Sequence, residues 1–308
     1  MGCNFRERIG KKGCKHFGKH FGSGYCNHEK SPYYRCIDYI ASGNFNLSHS
    51  QKETWERCPY KWYLEKIKGI RVKRERQSVA MRMGSEFGRL LSGKGEPEFF
   101  SVDEQYNKQL VDLMVKIIRE YEMLPDDAEW EVECERDGYT GKIDFVQKKK
   151  HQFGELKFTT DPSRYTSKPS AALQLQSYFY QRPDLKDAIM LPVQVSKLKD
   201  QKDKDQDLKI KRIEKDVRKR MKFYFPGYDP DREPPKWGQR YSQTEFDLEV
   251  FAKELAWAKG EIRRACKAEW FTQRTANCDK PFKCDFLPVF LTGGVNWRIF
   301  EMKKRGER

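Results

Sequence analysis

The chain has no long apolar run: nothing in its 308 residues approaches the roughly 20 apolar positions that span a bilayer, so no transmembrane helix is expected. The opening MGCNFRERIGKKGCKHF contains no apolar segment of signal-peptide kind, so secretion is not expected. It begins Met-Gly-Cys, yet Arg6 stands where the myristoylation pattern requires Ser or Thr. Internal repeats and Cys-x-x-Cys pairs are both absent, which removes solenoids and zinc knuckles. The nine cysteines are an odd number, and without an export signal they read as reduced thiols, some of them metal ligands, and not as a disulfide framework. Hydrophobic residues are scarce at 37% against 35% charged, but aromatics reach 14%, which fits a soluble globular protein with a heavily solvated surface and argues against global disorder. The length suits one large domain, or a core with a small appendage.

Charge of one sign is in excess. Lys and Arg number 61 against 46 Asp and Glu, a formal charge of +15. That favours a polyanionic partner, most simply nucleic acid, through phosphate neutralisation and counterion release. The basic residues gather in KIKGIRVKRER (66–76), KIKRIEKDVRKRMK (209–222) and EMKKRGER (301–308), although solvated helix faces and tails produce similar runs.

Residues 1–40 are rich in Gly, Cys, His and aromatics and show little periodicity. From Ser48, SHSQKETWERCPYKWYLEKIKGI sets Trp55, Tyr63 and Ile67 near helical spacing. Ser48 with Gln51, or Ser50 with Glu53, can form a capping box, so a helix is expected. Further helices are expected over 78–93 and from about Asp103 to Tyr121. Strands follow at 129–136 and in the two apolar runs of GKIDFVQKKKHQFGELKFTT (141–160), joined by QKKKHQ. Helical character returns over 170–182. A strand is expected over 188–198, with Pro192 marking a strand end, a bulge or an edge, and 199–207 reads as a charged loop. A long helix covers 242–270 with its own Ser242/Glu245 capping box. This order predicts an α/β (α+β) fold around a mixed sheet.

The 141–160 stretch carries three charges inside its apolar runs. Strand alternation puts Ile143 and Phe145 on one face and Asp144 on the other, while Glu155 and Lys157 share a face opposite Leu156 and Phe158. A hairpin can therefore bring Asp144, Glu155 and Lys157 together. Two close carboxylates repel unless a cation lies between them. Mg²⁺ suits such a pair because it takes a few carboxylate oxygens and keeps water and phosphate in its shell. The competing reading is a half-exposed hairpin with one charged face. Glu-x-Lys by itself is cheap, and the chain holds another in Glu301-Met302-Lys303.

The arrangement Gly-x-Ile-Asp, hairpin, Glu-x-Lys, then a helix with Gln-x-x-x-Tyr resembles the RecB-type exonuclease branch of the PD-(D/E)xK nuclease superfamily. The matching residues are Gly141, Ile143, Asp144, Glu155, Lys157, Gln174 and Tyr178, and the Cys58-bearing CPYKWY segment also looks like that branch's opening helix. The match runs over roughly 45–290 in the family's order. The resemblance implies a restriction-endonuclease-like core with a central mixed β-sheet flanked by helices. It implies Asp144, Glu155 and the Leu156 carbonyl as ligands of Mg²⁺ (or Mn²⁺), and Lys157 as the residue that positions or activates water. Gln174 and Tyr178 would face the same site; as a polar pair on an amphipathic helix they have an ordinary reading too. The family often carries a His in an upstream helix, where this chain has Gly88; Glu86 is available as a substitute, or is a solvated helix residue.

Relatives of this kind hold a 4Fe–4S cluster on one N-terminal and three C-terminal Cys. Cys58, Cys278 and Cys284 match three positions, but Phe290 stands at the fourth, with Cys266 the nearest spare thiol. The alternative is that these cysteines are small buried hydrophobes. Separately, Cys3, Cys14, Cys26 and Cys36, with His16 and His28 close by, crowd a segment too small for its own core, which points to tetrahedral Zn²⁺. The expected organisation is a zinc-binding segment over 1–40, a nuclease core over 45–290 and a basic tail over 291–308.

Together these readings predict a Mg²⁺-dependent DNA exonuclease of recombination, repair or phage DNA processing. It would act on single-stranded DNA or free ends in the cytoplasm of a bacterial or phage-infected cell. Trp55, Tyr60 and Trp62 are candidates for base stacking if exposed, although most aromatics of that helix read as core. The rival readings are a catalytically silent DNA- or RNA-binding protein with a zinc appendage, and a structure-specific endonuclease on the same core.

Overall fold

The computed structural model describes residues 40–41, 45–73, 78–166, 169–195, 205–274, 284–292 and 295–302. The first half comprises β1 (Leu47–Ser48), α1 (His49–Arg57), α2 (Pro59–Lys66), β2 (Ile70–Val72), α3 (Val79–Ser92), α4 (Gln105–Glu120), β3 (Glu129–Arg136) and β4 (Tyr139–Gln147). Then come β5 (Gln152–Thr159), α5 (Pro169–Gln181), β6 (Asp187–Gln194), α6 (Gln206–Lys219), β7 (Gln239–Ser242), α7 (Leu248–Ala268), α8 (Leu287–Thr292) and β8 (Phe300–Met302). The described residues fall into two compact units, one drawn from 1–76, 137–140 and 252–308, the other from 77–136 and 141–251.

The second unit holds the central mixed sheet flanked by helices. Its strands run in the order β4-β5-β6-β7, with β3 beside β4. β5 is parallel to β6, whereas β4–β5 and β6–β7 are antiparallel. β6 explains the layering. Ile189, Leu191 and Val193 pack with Met83 and Phe87 of α3, with α4 and with α6, while Ala188 and Met190 pack with Leu175 and Phe179 of α5. Both faces are therefore covered, which is why β6 reads as a continuous apolar run. Local signals agree with the flanking helices. Ser78 Oγ caps α3 by accepting from Met81 N at 3.3 Å, Gly93 ends it in the left-handed region at φ 70°, and a Ser101/Glu104 capping box precedes α4.

Two expectations change, and for Pro192 the edge alternative is the one found. The helix expected from Ser48 is two helices: Pro59 starts α2, and a residue before proline is driven out of the helical region, so Cys58 is extended at φ −160°, ψ 101°. The Ser242/Glu245 capping box exists but closes a single turn at Gln243–Glu245; α7 begins at Leu248, and Asp247 Oδ1 accepts from Val250 N at 2.9 Å. Pro192 lies inside β6, opposite Lys157, but the β7 ladder ends at Met190↔Gln239, so no strand on that side needs its missing N–H.

In the first unit β1 pairs parallel with Tyr139–Thr140, and β2 pairs antiparallel with β8 over a core of Leu64, Ile70, Phe286, Val289 and Phe300. Glu301, the acid of the second Glu-x-Lys, is tied to Arg71 Nε at 2.7 Å on that two-stranded sheet. Among the described residues no helix is long and apolar enough to cross a membrane.

The β4–β5 register places Phe145 opposite Gly154, where an added Cβ would lie 2.2 Å from Phe145 Cζ. Phe145 is fully buried and cannot swing away. Gly154→Ala is expected to cost roughly 1–3 kcal/mol by overpacking, read as a lower denaturation midpoint; an unchanged midpoint would show that the sheet yields there freely.

Candidate functional site

Glu155 and Lys157 lie two residues apart on β5 and so share a face. Glu155 pairs with Met190, whose face packs on α5, and this brings the i, i+4 pair Gln174 and Tyr178 over the same spot. Gln174 Nε2 donates to Glu155 Oε1 at 2.7 Å and to Tyr178 Oη at 3.0 Å, and Tyr178 Oη donates to the Lys142 carbonyl at 2.9 Å. Lys157 Nζ donates to the same Glu155 Oε1 at 2.5 Å. Asp144 reaches across from β4, its Oδ2 accepting from Leu156 N at 2.7 Å. The strand ladder ends at Phe145↔Gly154, so a side-chain carboxylate serves Leu156 where a strand carbonyl would otherwise stand.

The alternation expected at Asp144 does not hold as drawn. Ile143 packs with Val146, Phe153 and Phe179, while Phe145 packs with the α3–α4 core on the other side. The strict two-residue period is interrupted between them, beside the acid. Gly141 has a separate role: a Cβ there would fall 2.6 Å from Gln181 Oε1 and 3.0 Å from Tyr178 Cε1. The absence of a side chain lets α5 approach β4 closely enough for Tyr178 to reach Lys142.

The electrostatics are those of acids held out of water. Burial, then the neighbouring Glu155 carboxylate, push the Asp144 carboxyl up to about 7, against the pull of Lys157 and of Leu156 N–H. Burial drags the Lys157 ammonium down, but Glu155 and Asp144 outweigh it, so its pKa ends above the ordinary value. Burial, followed by Glu155, raises the Tyr178 phenol well above its usual range. Glu155 is 3% exposed, and its second oxygen, Oε2, is buried with no hydrogen-bond partner. A buried lone pair of this kind costs roughly 1–3 kcal/mol unless something binds it. Tyr165, not expected from the sequence, sits with its ring centre 5.8 Å from Lys157 Nζ.

Glu86 is buried but not solvated: Arg89 Nε and Nη2 hold its two oxygens at 2.7 Å each, and Glu98 N adds a third bond at 3.1 Å. Burial opposes its charge, but these donors keep its pKa below the usual carboxylate value. Among the described residues no three of His, Cys, Asp and Glu gather as a metal-binding group, so Glu86 does not join the Asp144–Glu155 pair in one.

Cys58 is buried and caps α2, its Sγ accepting from Lys61 N at 3.5 Å; Cys284 is half-buried. Cys266 is buried, and burial pushes its thiol up to about 12. Phe290 lies in α8. Cys3, Cys14, Cys26, Cys36 and Cys278 lie outside the described residues. Of the aromatics considered for stacking, Trp55 and Trp62 are core residues at 5% and 1% exposure. Among the described residues the exposed tryptophans are Trp257, Trp270 and Trp297. The signal for Trp257 was present in the sequence, since Phe251, Leu255, Ala258, Ile262 and Cys266 form the buried helical stripe of α7 and Trp257 falls off it.

No family model matches the chain, and no curated protein matches it. Among solved structures it is similar to a phage related exonuclease from Haemophilus somnus 129PT, at 14% identity and a TM-score of 0.34, over 73% of this chain and 96% of that one. At that distance the reading of the site rests on its own residues.

The raised Asp144 carboxyl has a consequence for metal-free protein. An unfolded carboxyl titrates near 3.9. From about pH 4 to 7 the folded state therefore keeps a proton that the unfolded chain has released, and stability from this group falls as pH rises, levelling off above about 7. In EDTA, Asp144→Asn is expected to stabilise the fold at pH 8 by on the order of 2 kcal/mol, with the gain shrinking towards zero near pH 4. Thermal melts across this range check it; a gain independent of pH would show that the carboxyl is not the cause.

Proposed function

We propose that this chain is a divalent-metal-dependent DNA nuclease, hydrolysing phosphodiester bonds as an exonuclease in recombination, repair or phage DNA processing. The observation that carries the reading is the buried Glu155 carboxylate, anchored through Oε1 and unpartnered at Oε2, next to a second, half-buried acid, Asp144. That donor set fits Mg²⁺ or Mn²⁺: Asp144, Glu155 and the Leu156 carbonyl are hard oxygen donors, few enough to leave room for water and phosphate. The ion, when bound, supplies charge against phosphate oxygens and lowers the pKa of water.

The side chains divide the remaining work. Lys157, its ammonium favoured by two neighbouring carboxylates, donates to Glu155 Oε1. It orients water or steadies negative charge that develops on the phosphate. Gln174 fixes the Glu155 rotamer, and Tyr178 fixes Gln174 and ties both to β4. Backbone binding falls to exposed lysines. Lys211, Lys215 and Lys219 recur every four residues along α6, with Lys222 just beyond, and none of them is in an ion pair among the described residues. Zn²⁺ on Cys3, Cys14, Cys26 and Cys36, and an iron–sulfur cluster involving Cys58, Cys278 and Cys284, stay as proposals resting on the sequence, to be settled by metal analysis and visible absorbance.

Wild type is expected to degrade end-labelled DNA with Mg²⁺ or Mn²⁺ and to leave closed circles intact. Glu155→Gln and Lys157→Ala should lose at least about 100-fold of the rate. Equal cleavage by all three proteins removes the catalytic assignment. Tight DNA binding with no scission under any metal favours the silent binding protein, and nicked circles favour the endonuclease.

Phosphate binding has its own measurement. In EDTA, replacing Lys211 and Lys215 with Gln should lower the slope of log K against log salt by about two, roughly one for each phosphate no longer neutralised. An unchanged slope would move the backbone-binding surface elsewhere.

A further inference from the structure

The first unit carries a cleft of about 350 Å³ between α1, the start of α2, α7 and the segment after α7. Two of its lining residues are tryptophans left open to solvent, Trp257 at 60% and Trp270 at 73% exposure. Its floor is aromatic as well: Trp55, at 5% exposure, stands edge-on to Trp62 with centroids 5.4 Å apart and to Phe271 at 6.5 Å.

The charge around these rings is mixed, and its acids are paired. Along the face of α7 that bears Trp257, Lys253 lies one turn before it and Arg264 two turns after it, and Arg274 reaches the cleft from beyond Trp270, donating to the Glu56 carbonyl. The two acids that line the cleft already have partners: Glu56 accepts from Lys52 at 2.6 Å, and Glu261 pairs with Arg264. Exposed rings framed by guanidinium and ammonium groups, in a chain of formal charge +15, complement a ligand with flat apolar faces on a polyanionic backbone. An apolar protein partner would call for contiguous aliphatic surface; here charged residues separate the rings.

We infer that this cleft binds the unpaired bases of single-stranded DNA, with Trp257 and Trp270 stacking on base faces and Lys253, Arg264 and Arg274 meeting the phosphates. A duplex hides its base faces, so the cleft distinguishes single strands from double strands, and stacking makes the recognition tolerant of sequence. The inference goes beyond the nuclease reading and uses none of the Asp144–Glu155 site.

The test is fluorescence anisotropy in EDTA with the full chain, using a labelled oligothymidylate and a blunt duplex. Trp257→Ala and Trp270→Ala are each expected to weaken oligothymidylate binding about tenfold, and Trp257→Phe to restore most of that loss. Duplex binding and the melting temperature should hold, since both positions are exposed. The inference is overturned by an oligothymidylate affinity that survives the double variant. An equal fall on duplex, or a wild type that ignores oligothymidylate, overturns it too. Because no metal is present, failure here leaves the cleavage assay untouched, and a failed cleavage assay leaves this result standing.

Discussion

A buried carboxylate, Glu155, beside a half-buried one, Asp144, is the constraint on which the rest of the second unit depends. Asp144 and Glu155 repel one another, and burial penalises both charges. The neighbouring groups counter that strain only in part: Lys157 and Gln174 share one oxygen of Glu155, and the Leu156 amide holds one oxygen of Asp144. A structure selected for stability alone would fill such a position with apolar side chains of the same volume. Keeping acids there, with an oxygen open, fits the general pattern in which strain and unsatisfied polar groups collect where chemistry is done.

The surrounding scaffold limits what those acids can do. α5 must lie close to β4 for Tyr178 to reach the Lys142 carbonyl, and only a residue without a Cβ at Gly141 allows it. The Tyr178–Gln174–Glu155 chain then passes the position of the backbone to the carboxylate. On the other side of the sheet, Phe145 needs Gly154 beneath its ring. The two glycines are thus packing requirements on opposite faces, and the acid pair sits at the place where β4 changes phase between them.

Much of this was legible in the sequence, for reasons that differ by element. The β3–β4–β5 meander, α3, α4 and α5 are long enough for periodicity to speak, and β6 betrays its two-sided burial by an unbroken apolar run. β2, β7 and β8 are three or four residues long and owe their strand geometry to a partner distant in sequence, so no local pattern marks them. The break at Cys58 was written in Pro59, but helical spacing on either side of it masked the signal. At the site, the Glu155/Lys157 pair follows from strand alternation and the Gln174/Tyr178 pair from i, i+4 spacing, whereas the expectation that the two pairs meet comes from the family resemblance. The orphaned Glu155 oxygen and the Arg89 clamp on Glu86 follow from none of these, because both are set by packing between segments remote in the chain.

The two Glu-x-Lys segments show why such a motif means little until its surroundings are known. Glu301 lies on a short two-stranded sheet with Arg71 as an ordinary half-exposed partner, where water can satisfy whatever the arginine does not. Glu155 is almost wholly buried, shares one oxygen between two donors and leaves the other open. The same contrast bears on Lys157. A lysine buried alone would lose its proton and serve as a base, whereas one held between two acids keeps it. In the metal-free site Lys157 is therefore a hydrogen-bond donor to Glu155. A cation held by Asp144 and Glu155 would lower the proton affinity of both carboxylates and loosen their hold on the Lys157 proton, so the path of the water's proton depends on the ion as much as on the side chains.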